Sequence, residues 1–168
     1  MSLQEELERL KAKAAAERGR VAQAQGDLEG AAYYFAHSLE WADTPEARVG
    51  QAQALSYEGK LEQAISECKK AIVLAPEQGQ AYNDIGVYLM QLGQDEEAQV
   101  WLNLAIDAID YSERQHPHYN LGRIYERGQE LNRAVASYEA ALGEEPGFES
   151  AKGALVRVKK KLERPVEP

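Results

Sequence analysis

His116, Asn120, Arg123 and Arg127 recur at spacings of four, three and four, so on a helix they make one polar stripe. Its two guanidiniums stand out in an acidic chain, and a guanidinium binds a carboxylate through a planar, two-pronged set of donors. Arg123 can instead pair with Asp84, and Arg127 can complement its own helix end. "HPH" (His116, Pro117, His118) offers two imidazoles to a metal ion, but the sequence indicates no third ligand, and Pro117 suits the first turn of a helix. Cys68 is the only cysteine, so there is neither a disulfide framework nor a thiolate cluster. No glycine-rich phosphate loop, nucleophile elbow or paired-histidine metal motif appears. The chemistry on offer is recognition. No catalytic residue, metal or cofactor is implied.

These residues need a scaffold, and composition bounds it. The 168 residues suit one domain, and the abundance of Glu, Ala, Leu and Lys favours an all-α fold. Residues 26–113 hold 16 acids against 4 bases, which repels phosphate backbones and argues against nucleic acid. Residues 151–168 reverse the balance, with 6 bases against 2 acids, either to attract anions or to complement the end of a last helix. No apolar run is long enough to span a membrane, and the charged start "MSLQEELERLKAK" is unlike a signal peptide. A soluble, cytoplasmic protein is the expectation.

Four stretches share one spacing. A small residue is followed twelve positions later by alanine: Gly19 and Ala31, Ala52 and Ala64, Gly86 and Ala98, Gly122 and Ala134. Four residues on comes Phe35, Cys68, Leu102 or Tyr138, and three further Ser38, Ala71, Ala105 or Ala141. Pro76 and Pro146 close two copies where Asp43 and Asp110 stand in the others. The four alanines lie 33, 34 and 36 apart, a period that marks stacked helix pairs. Within one copy, Tyr82, Ile85, Gly86 and Leu89 have helical spacing, and Gly93 can end that helix in the left-handed region. Asp95, Glu96 and Glu97 then favour a second helix start, with Ala98, Leu102, Ala105 and Ile109 as its buried stripe. Close approach of the two helices explains the missing side chain at Gly86. Tyr33, Tyr82, Tyr125 and Tyr138 take packing positions, and Cys68 a buried structural one.

This pattern resembles the tetratricopeptide-repeat family. The resemblance covers about nine tenths of the chain: repeats 12–44, 45–78, 79–112 and 115–148, with Glu113 and Arg114 extra before the last. Residues 1–164 then form a single domain, with an N-terminal helical extension 3–11, a capping helix 149–164 and a tail 165–168. The cap's Ala151, Leu155, Val158 and Leu162 should face inward. Membership implies a right-handed α-solenoid whose first helices line a concave groove and bind a peptide segment of a partner protein. By position in the repeat, the groove residues singled out are Gln53, Tyr57, Asn83, Asp84, Val87, Tyr119, Asn120, Arg123 and Arg127. Gln53, Asn83 and Asn120 carry both a donor and an acceptor, which suits the backbone of an extended ligand.

Two special activities of relatives do not fit. The carboxylate clamp of chaperone-binding members wants lysine and asparagine where this chain has Ala16 and Arg20, then Val49 and Gln53. An asparagine ladder at the sixth repeat position is met only by Asn120, with Gly50 and Asp84 interrupting it. A different function class rests on Leu3, Leu7, Leu10 and Ala14, spaced four, three and four as a short heptad seam. The seam can fold back over the open edge of repeat one, meet a partner, or, as the outer helix faces also could, join copies of the chain into an assembly scaffold.

Overall fold

The computed structural model describes residues 1–163, and over that span it forms nine α-helices. In chain order they are α1 (Leu3–Ala24), α2 (Leu28–Trp41), α3 (Pro45–Tyr57), α4 (Leu61–Leu74), α5 (Gly79–Gln91), α6 (Asp95–Asp107), α7 (Gln115–Arg127), α8 (Leu131–Glu144) and α9 (Glu149–Leu162). Local chemistry sets several boundaries. Ser2 and Glu5 form a reciprocal capping box that starts α1. Thr44 caps α3, whose first residue is Pro45. Within the first three pairs the turn places Gly26, Gly59 or Gly93 at φ of 78°, 76° and 76°. In the fourth pair that role falls to Gln129, at φ 61°.

Helices pack as pairs, α1 on α2, α3 on α4, α5 on α6 and α7 on α8, and each second helix also meets the next first helix. The first helices α1, α3, α5 and α7 touch one another in turn, and α9 lies on α8. The result is a helical solenoid. Its main core runs from Ala52 through Ile85, Leu102 and Tyr138 to Val158 of the last helix. A smaller cluster joins Ala22, Ala31 and Phe35.

Each small residue of the repeat makes room for a specific neighbour. A Cβ on Gly86 would meet Leu102 at 2.6 Å, and one on Gly122 would meet the Tyr138 ring at 2.4 Å. The side chain received is therefore the large one four residues beyond the alanine. Ala98 itself comes no closer than its carbonyl oxygen, at 3.4 Å.

Four details differ from the sequence expectation. The extension 3–11 is no separate element, because nothing breaks the helix before Ala12, and α1 runs through it without folding back. Tyr33 points away from the core with 64% of its surface exposed, since among the described residues no helix covers the outer face of α2. Ile109 is likewise exposed, because α6 stops at Asp107. The Arg114 guanidinium donates to the carbonyls of Ile106 and Ala108 at 2.9 and 2.8 Å, closing that helix end. In the cap, Ala154 is buried and Leu162 is largely exposed; the tail 165–168 and Arg164 lie outside the described residues.

The two residues that lengthen the third spacing sit in this same linker. Asp110 N–H donates to the Glu77 carbonyl at 2.9 Å, and Gly79 N–H donates back to the Asp110 carbonyl at 3.3 Å. Gly79 also faces the Tyr111 ring, where a Cβ would come within 2.4 Å. The linker that carries the insertion is thus folded onto the previous inter-repeat turn through Asp110 and Tyr111, and α7 enters the stack alongside α5.

Candidate functional site

The faces of α1, α3, α5 and α7 that line up together carry a continuous row of polar side chains. Gln23 Nε2 donates to Gln53 Oε1 at 2.7 Å, and Gln53 Nε2 donates to an Asp84 oxygen at 3.0 Å. Gln80, one turn before Asp84, donates to its other oxygen at 2.7 Å. On the far side, Asn83 Nδ2 lies 3.5 Å from that oxygen, and Asn83 Oδ1 accepts from Asn120 Nδ2 at 3.3 Å. Asn120 Oδ1 accepts from Arg123 at 3.3 Å. Seven side chains from four helices are joined.

Burial makes this row a structural commitment. Asn83, Asp84 and Asn120 are 6%, 7% and 7% exposed, so hydrogen bonds withheld there would not be replaced by water. Gln53 is half-buried at the edge. Burial pushes the Asp84 carboxyl up to about 6, against the opposing pull of the donors Gln53, Gln80 and Asn83. The donors alone do not overcome the missing water.

The remaining groove residues are more open. Tyr57 is exposed, while Val87 and Tyr119 are half-buried. Tyr119 packs against the rings of Tyr138 and Phe148 at 5.6 and 5.3 Å. Arg123 is exposed with its guanidinium 6.0 Å from the Tyr119 ring. It bonds Asn120 and not Asp84, which is reached only through the two asparagines. Arg127 pairs with Asp95 at the start of α6 rather than with its own helix end. A half-open recess of ≈ 240 Å³ lies between α1 and α3, lined by Ala16, Arg20, Gln23, Val49, Gly50 and Gln53.

At the other end of the row the cap contributes charges. Arg123, Glu126, Arg127, Arg157 and Lys161 surround a shallow recess of ≈ 350 Å³ beside Gln129. Arg157 donates to both oxygens of Glu126 at 3.0 and 2.7 Å, Lys161 donates at 2.7 Å, and the Tyr138 hydroxyl donates at 3.0 Å. The Arg157 hydrogen bonds, aided by Lys161 and Tyr138 and opposed by burial, hold the Glu126 carboxyl down at about 2. Glu126 therefore anchors α9 onto α7, and four cations against Glu126 and the Asp95 that pairs Arg127 leave the recess basic. Sequence reading does not single out Glu126, because its partners lie 31 and 35 residues away.

The candidate metal pair does not converge on a site. His116 lies edge-on to Phe148 at 5.3 Å, and burial lowers the basicity of His118. Among the described residues no three His, Cys, Asp or Glu side chains gather as metal ligands. Cys68 is fully buried, which pushes its thiol up. Among the described residues no helix is long and apolar enough to cross a membrane.

Comparison with known proteins agrees with the geometry. A family model for the tetratricopeptide repeat matches residues 45–78, 79–110 and 116–148. No protein among those with curated descriptions matches. Among solved structures, that of Pseudomonas aeruginosa pilF superposes with a TM-score of 0.85 at 21% identity, covering 92% of this chain and 70% of that one. A structure of MamA gives a TM-score of 0.69 at 23% identity, covering 86% and 84%. PilW, described as a widely conserved type IV pilus biogenesis factor, gives 0.80 at 18% identity, covering 89% and 69%. At these identities the likeness is one of fold.

Proposed function

Because the chain belongs to the tetratricopeptide-repeat family, whose members are protein-interaction modules, we propose that it is a non-enzymatic adaptor holding a peptide segment of a partner protein in its groove. The observation that carries this reading is Arg123. It is exposed at the end of the buried polar row, its one hydrogen bond among the described residues goes to an uncharged amide, and it opens onto a basic recess. A cation held in place without a carboxylate of its own is suited to receive one from a ligand.

The division of labour follows from burial. Asn83, Asp84 and Asn120 form the floor, since their polar atoms are engaged between helices. Tyr57, Val87 and Tyr119 offer apolar contact along the wall, and Gln53 stands at the mouth of the recess between α1 and α3. Arg123, with Arg127 beside it, sets an acidic side chain or a C-terminal carboxylate of the ligand. The acidic body suits a ligand that is otherwise neutral or basic.

A peptide display presenting extended segments with either free or amidated C-termini tests this. Charge-assisted contacts of this kind contribute about 1.5–3 kcal/mol each when shielded. Selected ligands should lose at least tenfold in affinity to the Arg123→Ala, Arg127→Ala double variant at unchanged helix content. Equal binding by parent and variant overturns the assignment of this stripe.

A further inference from the structure

The leucines of α1 face away from the solenoid. Ala12 and Gly19 are buried toward α2, and Ser38 of α2 donates to the Ala12 carbonyl at 2.7 Å. At 100° per residue, Leu3 lies about 180° around the helix from Ala12, and Leu7, Leu10 and Ala14 lie within roughly 40° of that direction. The exposures agree: Leu3 83%, Leu7 45% and Leu10 60%, with Ala14 also exposed. The helices α3, α5 and α7 each have the preceding second helix packed against them, whereas among the described residues α1 has none. Three leucines on one straight stripe thus remain in water.

Charge along the same segment is segregated. Glu5, Glu6 and Glu8 occupy the first turns, and Arg9, Lys11 and Lys13 the next. A parallel, in-register neighbour would set Glu6 beside the partner's Lys11 but Lys13 beside the partner's Arg18, so one of its two flanking contacts repels. An antiparallel neighbour removes that repulsion, and also opposes the two helix dipoles favourably.

We propose that α1 is a self-association surface whose partner is α1 of a second copy of this chain, paired antiparallel about a two-fold axis between Leu7 and Leu10. In that register Leu7 packs on the partner's Leu10, and Leu3 packs on the partner's Ala14. The flanking Glu6 lies beside the partner's Lys13, and symmetry repeats each contact. The contact spans residues 3–14, roughly 18 Å of helix, so the dimer is weak and concentration-dependent.

Sedimentation of the full chain from micromolar to about millimolar concentration should show a reversible monomer–dimer equilibrium. The Leu7→Glu, Leu10→Glu double variant should be monomeric throughout, with the parent's circular dichroism and melting temperature, since both positions are exposed. Glu6→Lys alone and Lys13→Glu alone should each weaken dimerisation at least tenfold, and the two together should restore it to within about threefold. A parent that stays monomeric over the range overturns the proposal, as does a dimer indifferent to the leucine change. Tighter association by Lys13→Glu alone overturns the antiparallel register, because only a parallel pair sets that position beside Arg18. Neither leucine lines the groove, so loss of pairing leaves the peptide affinities of the monomer unchanged, and the two readings fail independently.

Discussion

The Asn120 amide donates to the Asn83 side chain across 3.3 Å, joining α7 to α5 between residues 37 apart in the chain. Neither amide belongs to the apolar packing that the repeat pattern announces. Their bond nonetheless lies inside the solenoid, one link from the carboxylate of Asp84. Inter-repeat geometry is therefore fixed by directional contacts as well as by the stacking of alanines, leucines and aromatics.

The Asp84 carboxyl gives this row a pH signature. Its folded value of about 6 lies above the ordinary 3.8, so the native state holds a proton more tightly than the unfolded chain. The associated stability is fully present below about pH 4 and is lost as pH rises through 6. Asp84→Asn removes the dependence. The stability of the parent minus that of the variant should fall between pH 4 and pH 7 by up to about 3 kcal/mol. Denaturant titrations at intervals across that range measure it, and a flat difference would contradict the burial argument.

Gly86 predicts the opposite kind of effect, independent of pH. A Cβ there already meets Leu102 at 2.6 Å, so Gly86→Leu drives a whole side chain into that contact. Overpacking should cost about 1–3 kcal/mol. A thermal melt unchanged from the parent would mean that the α5–α6 contact is misplaced.

Gln129 is a site where the chain can be improved. It adopts φ 61° at the turn where the three earlier pairs use glycine. The left-handed region costs a non-glycine residue about 1–2 kcal/mol, and glycine's extra unfolded-state freedom offsets part of that. Gln129→Gly should raise stability by roughly 0.5–1 kcal/mol, read as a higher denaturant midpoint at constant slope. A lower midpoint would show that the Gln129 side chain contributes more than its backbone costs.

Helix pairs were readable because packing at one repeat dictates the same residue sizes at the next: Gly86 with Leu102 repeats as Gly122 with Tyr138. Tyr33 was misread because periodicity gives the face of a helix but not whether another helix covers it, and Ile109 because α6 ends at Asp107, two residues before it. The groove positions were legible as a set from family position, but the fate of each was not. Asn83, Asp84 and Asn120 look alike on paper to Gln53 and Tyr57, and only the stacking distance between α5 and α7 separates floor from wall. The same limit hid the role of Arg157 and Lys161. A basic helix end reads as solubility until Glu126 is seen against it.

The row through Asp84 also has a direction. Every link in it points its N–H toward that carboxylate, from Gln23 through Gln53 on one side and from Arg123 through Asn120 and Asn83 on the other. A proton on Asp84 turns one of its oxygens from acceptor to donor, so one of the amides that face it, Gln53, Gln80 or Asn83, must turn its oxygen inward. The Gln23 arm can, by rotating two amides and ending in water at half-buried Gln23. The other arm cannot, because it terminates in a guanidinium, which only donates. Arg123 therefore acts as a diode on the network: whatever rearrangement protonation brings is steered to Gln80 or toward α1 and α3, and the α5–α7 junction keeps its polarity.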